Sequence, residues 1–267
     1  MTIDAIEFDW VADLVRRETA IVLGAGKEYL VETRLTPLAY DAGEPCVEEW
    51  VRRVRSGGTP HQRRAIVEAL TTNETSWFRD GPVFDVLRDT VLPGLLSARG
   101  AAPVRLWSAA ASTGQEAYSL AMLCHELDPH RRAEIIGTDV ASAVVGQAAG
   151  GCYDRLAISR GLTAQQRAAY FQESARGWRI DPSLQRHVSF RTLNLARPFD
   201  GLPRMDLVLL RNVLIYFDAP TRLDVLRRVR SVMAPGGWLL LGTAESANDS
   251  DLFVPERIGA VTLYRPR

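Results

Sequence analysis

Beyond Pro103 the chain alternates short apolar runs with longer helical segments, and that rhythm admits few architectures. Residues 104–108, 134–138, 188–193, 206–210 and 238–242 read as strands. Between them, 115–127, 141–149 and 220–233 read as helices, the last opening with Pro220 near its N-terminus. Two more short runs, 252–254 and 261–264, suit a terminal hairpin. Strands that alternate with helices predict an α/β domain built on a doubly wound, mostly parallel sheet covered on both faces.

The preceding stretch has a different period. From Phe8 to about Arg99 the pattern is helical and contains no convincing strand. Phe8, Val11, Leu14 and Val15 share one helical face, as do Val47, Trp50, Val51 and Val54. Gly57-Gly58-Thr59-Pro60 separates the second of these from a helix over 62–70. A further helix is predicted over 82–96, bent or interrupted at Pro93. Arg99-Gly100-Ala101-Ala102-Pro103 has linker composition. The expected division is an all-α domain over 1–80, a connecting helix and linker over 81–103, and the α/β domain over 104–267.

Charge and cysteine usage narrow the function. Lys+Arg and Asp+Glu both total 32, so no net field favours nucleic acid or an anionic membrane. Cys46, Cys124 and Cys152 lack CxxC spacing, and His61, His125, His130 and His187 form neither HxH nor HExxH. The expectation is no metal site and reduced thiols. The N-terminal MTIDAIEFDW is acidic and lacks an apolar h-region, and no apolar run approaches the ~20 residues that span a bilayer. A cytoplasmic protein without membrane insertion is expected.

In open α/β sheets, ligands bind beyond the carboxyl ends of the strands. The loop after the first strand, Ala109-Ala110-Ala111-Ser112-Thr113-Gly114-Gln115-Glu116, is small-sided and turns at Gly114. It is either a ligand loop or an ordinary strand–helix turn, and it is not the GxGxxG of dinucleotide folds. The second strand ends at Gly137-Thr138-Asp139. Asp139 either receives the two hydroxyls of a ribose or caps the next helix. In Arg211-Asn212-Val213-Leu214-Ile215-Tyr216-Phe217 a buried strand ends in two polar residues, whereas Tyr216 and Phe217 alone read as packing residues. Thr71-Thr72-Asn73-Glu74-Thr75-Ser76-Trp77-Phe78-Arg79-Asp80 lies between helices and is rich in hydrogen-bonding groups; Thr75 or Ser76 is placed to start the following helix.

Taken together, TTNETSWFRD, RLWSAAASTGQEAYSLA, IIGTDV, LNL at 193–195, and LLRNVLIYF followed by APGGWLLLGTAES resemble the chemotaxis receptor methyltransferase family of the CheR type. The resemblance runs over nearly the whole chain, in the family's order. It implies an S-adenosylmethionine-dependent methyltransferase sheet with a small inserted β-subdomain over 150–187. It places Asn73, Thr75 and Arg79 at the methionine end of the cofactor, with Glu116 in contact and Asp139 on the ribose. Asn194 and Leu195 would line the adenine pocket, with Arg211 and Asn212 nearby; Arg79 and Tyr216 would face the transferred methyl group. Gln115 and Ala117 depart from the acidic residue and proline usual in the family's GEEPYS.

The implied activity is methyl esterification of glutamates on the cytoplasmic helices of a methyl-accepting chemoreceptor. Arg52, Arg53, Arg55, Arg63 and Arg64 would form the docking face for those acidic helices, or else a solvated basic face. The compact 151–187 segment lacks a glycine-rich insertion, so no tether to a receptor's C-terminal pentapeptide is expected. The sequence leaves two alternatives open. A nucleic-acid methyltransferase would need a basic channel, and 212–216 is no NPPY-type motif. A non-catalytic adaptor of the same fold would not need Arg79, Glu116, Asp139 and Tyr216 together.

Overall fold

The computed structural model describes residues 3–130, 132–175, 177–248 and 250–267. It divides into two compact units, one reaching Thr72 and including Ile215–Arg222, the other formed by Asn73–Leu214 with Leu223–Arg267.

The first unit is helical: α1 (Ala5–Thr19), α2 (Glu28–Asp41), α3 (Val47–Gly57) and α4 (Pro60–Leu70). Asp4 caps α1 by accepting the Glu7 amide at 2.8 Å. Thr59 and Gln62 close a capping box on α4, with Pro60 at its start. The apolar faces read from the sequence are the buried ones: Val11, Val15, Trp50, Val51 and Val54 are buried, as are Leu35 and Ile66, where α1 and α2 each pack on α3 and α4. Burying each such side chain contributes roughly 1.5–3 kcal/mol. Gly58 has no alternative at the α3–α4 turn, because a Cβ there would lie 2.6 Å from the Val54 carbonyl oxygen. The segment 215–222 joins this unit through an Arg16–Asp218 ion pair of 2.9 Å and a Val22 amide donated to the Tyr216 carbonyl at 2.9 Å.

The second unit opens with α5 (Gly81–Val86) and α6 (Leu92–Arg99). The sequence predicts one helix broken at Pro93; instead the ladder widens to a π-helical turn over Leu87–Val91, and Pro93 sits in the first turn of α6. The wider turn accommodates the missing proline donor without breaking the rod. There follow β1 (Val104–Ala109), α7 (Gln115–Leu127), β2 (Ala133–Asp139), α8 (Ser142–Gly150), β3 (Cys152–Tyr153), α9 (Arg155–Ser159), α10 (Ala164–Tyr170), β4 (Phe171–Ser174), β5 (Gly177–Ile180), α11 (Pro182–Gln185), β6 (Val188–Thr192), β7 (Met205–Leu210), α12 (Ala219–Val232), β8 (Met233–Leu241), β9 (Phe253–Ile258) and β10 (Val261–Pro266). Helix α12 begins in the first unit and ends in this one.

Seven strands form one sheet in the order β6-β2-β1-β7-β8-β10-β9. The first five are parallel, and the terminal hairpin adds two antiparallel strands. All six residues of β7 are buried, as expected of a central parallel strand. The expected strands and hairpin all form, with β8 starting earlier than the apolar run because Met233 pairs with Met205 ahead of an irregularity. The inserted subdomain is a separate three-stranded antiparallel sheet, β3-β5-β4. Trp77 fastens it: its ring lies edge-on to Tyr153 and Phe171, its Nε1 donates to the Ala157 carbonyl, and its amide donates to Arg160. Among the described residues, no helix is long and apolar enough to cross a membrane.

Candidate functional site

Strand order reverses between β1 and β7, so a crevice opens beyond their carboxyl ends. Among the described residues, six non-glycine residues have φ in the left-handed region, and five of them border this crevice: Phe78, Asp80, Ala110, Ser112 and Asn212. Each such conformation costs about 1–2 kcal/mol for an L-residue, so their concentration marks a site held by its surroundings.

The loop after β1 is shaped from both sides. Ala110 and Ser112 take φ of 59° and 51°, and Gly114 takes 95°. A Cβ on Gly114 would lie 2.9 Å from Ala148 Cβ, so the turn needs glycine for conformation and space alike. The Ser112 amide donates to Asp139 Oδ2 at 2.9 Å, and Ser112 Oγ donates to the Asn73 carbonyl at 2.6 Å. Tyr153 and Tyr118, both pushed up by burial and so protonated at neutral pH, donate to the carbonyls of Thr113 and Ala148.

Asp139 is 6% exposed at the end of β2. Its Oδ1 accepts the Ala141 amide at 3.1 Å. Of the two readings of this residue, the capping contact toward α8 is present, and the same carboxylate also fixes the β1 loop. Phe78 donates its amide to Ser119 Oγ at 3.1 Å, bringing the 73–80 segment onto α7. Neither Thr75 nor Ser76 starts a helix: α5 begins at Gly81, with Asp80 at its N-cap in a left-handed conformation. The Asp80 carboxylate instead bonds Arg211.

Arg211 is the centre of a buried network. Its side chain is 1% exposed; Nη1 donates to Glu116 Oε2 at 2.9 Å, and Nη2 donates to Asp80 Oδ2 at 2.6 Å and to the Arg79 carbonyl at 2.9 Å. Glu116 Oε1 accepts from Ser108 Oγ at 2.7 Å. Both oxygens of Glu116 are thus engaged inside the protein, and β7, α7 and the 73–80 segment are joined through one guanidinium. Arg79 is half-buried, donates to the Glu74 carbonyl at 3.2 Å, and makes no ion pair among the described residues.

Glu245 is the residue that sequence reasoning passed over. Its carboxylate accepts four backbone amides, Asn212 and Gly242 on Oε2 and Val213 and Leu214 on Oε1, all at 2.7–2.8 Å. Asn212 is held at φ 57° by this clamp. An isolated acid in GTAES, just past a buried strand, was the available signal.

Past β6 a cavity of about 240 Å³ is lined by Arg191, Thr192, Leu193, Asn194, Pro198 and Asp200. Leu195 is buried beside it and gives its carbonyl to Arg228. Tyr216 belongs to the helical unit, half-buried in a short turn over Leu214–Tyr216, and Phe217 is a packing residue at 7% exposure.

The basic face differs from its sequence pattern. Arg52 and Arg55 both pair with buried Glu7, Arg52 also with Glu48, and Arg53 with Glu44. Only Arg63 and Arg64 of the five make no ion pair among the described residues.

Two family models match in succession: "CheR methyltransferase, all-alpha domain" over residues 6–71, and "CheR methyltransferase, SAM binding domain" over residues 73–257. Chemotaxis protein methyltransferase 1 of Pseudomonas aeruginosa is 39% identical, with 91% of each chain covered. Chemotaxis protein methyltransferase 1 of Vibrio cholerae is 36% identical over 99% of this chain and 98% of its own. The chemotaxis protein methyltransferase of Escherichia coli is 30% identical over 90% and 84%.

Proposed function

The chain belongs to the CheR methyltransferase family, and on that premise we propose that it methylates glutamate side chains of a methyl-accepting chemoreceptor, using S-adenosylmethionine and leaving γ-glutamyl methyl esters. The observation that carries this reading is the convergence of the 73–80 segment, the β1 loop, Asp139 and the Arg211–Leu214 loop on one crevice.

The residues present fit the cofactor. Small side chains at Ala109–Ala111 and a glycine turn leave the β1 backbone open to approach, and a carboxylate at the end of β2 suits a vicinal diol. Asp139 takes the ribose, Asn194 and Leu195 the adenine, and Asn73, Thr75 and Arg79 the methionine end. Arg211, Asn212 and Glu116 border it as a bonded frame. Bound there, S-adenosylmethionine supplies an electrophilic methyl group on a sulfonium.

Glutamate has an unperturbed pKa of about 4.3, so the acceptor is already a carboxylate at neutral pH and no general base is required. The protein's work is alignment, which contributes roughly 7–11 kcal/mol in well-oriented reactions. Arg79 carries a guanidinium suited to hold a carboxylate by paired hydrogen bonds, and the Tyr216 hydroxyl orients the acceptor or the methyl donor. The partner is a set of cytoplasmic receptor helices, and the reaction takes place in the cytoplasm. The receptor's C-terminal pentapeptide is not a tether, so a tailless receptor is methylated like the intact one.

Incubating the protein with receptor cytoplasmic fragment and tritiated S-adenosylmethionine tests the reading. Base treatment should release the label as methanol. Label that stays in base-stable product, or no transfer at all, would overturn it.

A further inference from the structure

We propose that the carboxyl-terminal half of α12, with the chain segments bonded to it, is a docking surface for an acidic protein segment. Arg227, Arg228 and Arg230 surround the solvent side of this helix, whose buried side is Val225, Leu226 and Val229. Arg204 donates from Nη1 to the carbonyls of Ser231 at 2.6 Å and Met233 at 3.1 Å, which places its guanidinium at the helix end. The carbonyl of Arg197 accepts from Arg228 Nη1 at 2.8 Å, bringing Arg197 to the same neighbourhood. Five arginines therefore gather in a chain that has equal numbers of acidic and basic residues.

Their charge is not cancelled locally. Asp224 pairs with Arg228 and Arg230 donates to the main-chain oxygen of Arg267, but Arg197, Arg204 and Arg227 make no ion pair among the described residues and are exposed. Hydrogen bonds to carbonyls fix a guanidinium without neutralising it. The carboxyl end of a helix offers only about half a negative charge, so complementing α12 does not account for three unpaired cations. The contrast with α3 is direct, since Arg52, Arg53 and Arg55 each meet a carboxylate of their own unit.

The chemistry favours carboxylates as the occupant. Arginine's planar fork matches a carboxylate in paired hydrogen bonds. The large apolar side chains exposed in this unit, Leu127, Leu156 and Val254, lie outside these segments, so nothing here would wedge into lipid. The aromatic ring at hand, Phe199, is buried with Arg228 over its face, so no exposed ring offers a stacking platform for bases. The identity of the partner rests on the receptor reading, in which the substrate is a glutamate-bearing helix; the surface itself rests on the arginines.

The test uses the full chain, the double variant Arg197→Glu/Arg227→Glu, and a labelled helical peptide of glutamate and alanine. Affinity for the peptide should fall roughly tenfold or more at low salt in the variant, and wild-type affinity should fall as salt rises. Binding of S-adenosylhomocysteine should stay unchanged in both, which reports an intact fold. Equal peptide affinity would overturn the surface, as would tighter binding of phosphatidylglycerol vesicles or single-stranded RNA that the variant loses. If the wild type and the variant methylate receptor fragment with the same KM, the surface is wrong and the activity stands. If peptide binding depends on the two arginines while no receptor is methylated, the surface stands and the activity is wrong.

Discussion

Arg211 and Glu116 meet at 2.9 Å in an environment where the arginine is 1% exposed, binding the end of β7 to the first turn of α7. Removing one partner of such a buried pair leaves an uncompensated charge, whose cost is typically about 3–5 kcal/mol. Arg211→Met should lower unfolding stability by that order, because Glu116 and Asp80 both lose their cation. The double variant Arg211→Met/Glu116→Gln should recover part of the loss. Urea titrations of the wild type, Arg211→Met, Glu116→Gln and the double variant decide it; additive losses would show that the two side chains are not coupled.

Glu245 holds four amides where an amide side chain can accept only at one oxygen. Glu245→Gln turns an NH₂ group toward two N–H donors. An unsatisfied buried donor costs about 1–3 kcal/mol, so the variant should lose at least about 2 kcal/mol of stability. Its proton-exchange rates should rise at Val213 and Leu214 before they rise in β7. Unchanged exchange at those amides would contradict the clamp.

Asp139→Ala should weaken S-adenosylhomocysteine binding about ten- to a hundred-fold, the cost of roughly 1.5–3 kcal/mol in charge-assisted hydrogen bonds. Because Asp139 also holds Ser112 and Ala141, Asp139→Asn is the informative companion. It keeps one acceptor and should fall between the two. Calorimetry with equal affinities across all three proteins would remove Asp139 from the ribose site.

Arg79→Ala and Tyr216→Phe should lower single-turnover methylation more than cofactor affinity, if both act on the reacting groups. The Arg79 side chain makes no ion pair among the described residues, so its loss should leave stability within about 0.5 kcal/mol, as for surface substitutions away from such features. Wild-type single-turnover rates in both variants would reassign the catalytic role.

Much of this molecule could be read from its sequence, and the exceptions share a cause. The parallel strands were legible because β1, β7 and β8 must be apolar on both faces, a constraint that each short run carries by itself. The cleft loops were legible through the order of their motifs. What escaped was set by contacts between distant residues. Glu7 reaches Arg55 across 48 positions, so the basic run in α3 reads as unpaired charge until the chain is folded. Thr75 and Ser76 read as helix-starting residues, but α5 begins at Gly81, and Arg211, 131 positions from Asp80, takes the carboxylate of that N-cap residue. The π-helical turn before Pro93 depends on how a rod resolves a missing donor, which no local period announces. Glu245 stands inside the GTAES run without a signature of its own, since an acid that serves only backbone has no partner side chain to point to it.

The terminal hairpin has a consequence for life at high concentration. β9 closes one side of the large sheet, and an open strand there would invite a second molecule to continue it. Pro255 withholds one of its donors, while Glu256 and Arg257 place opposite charges along a largely exposed strand. Self-association through this rim is thereby discouraged.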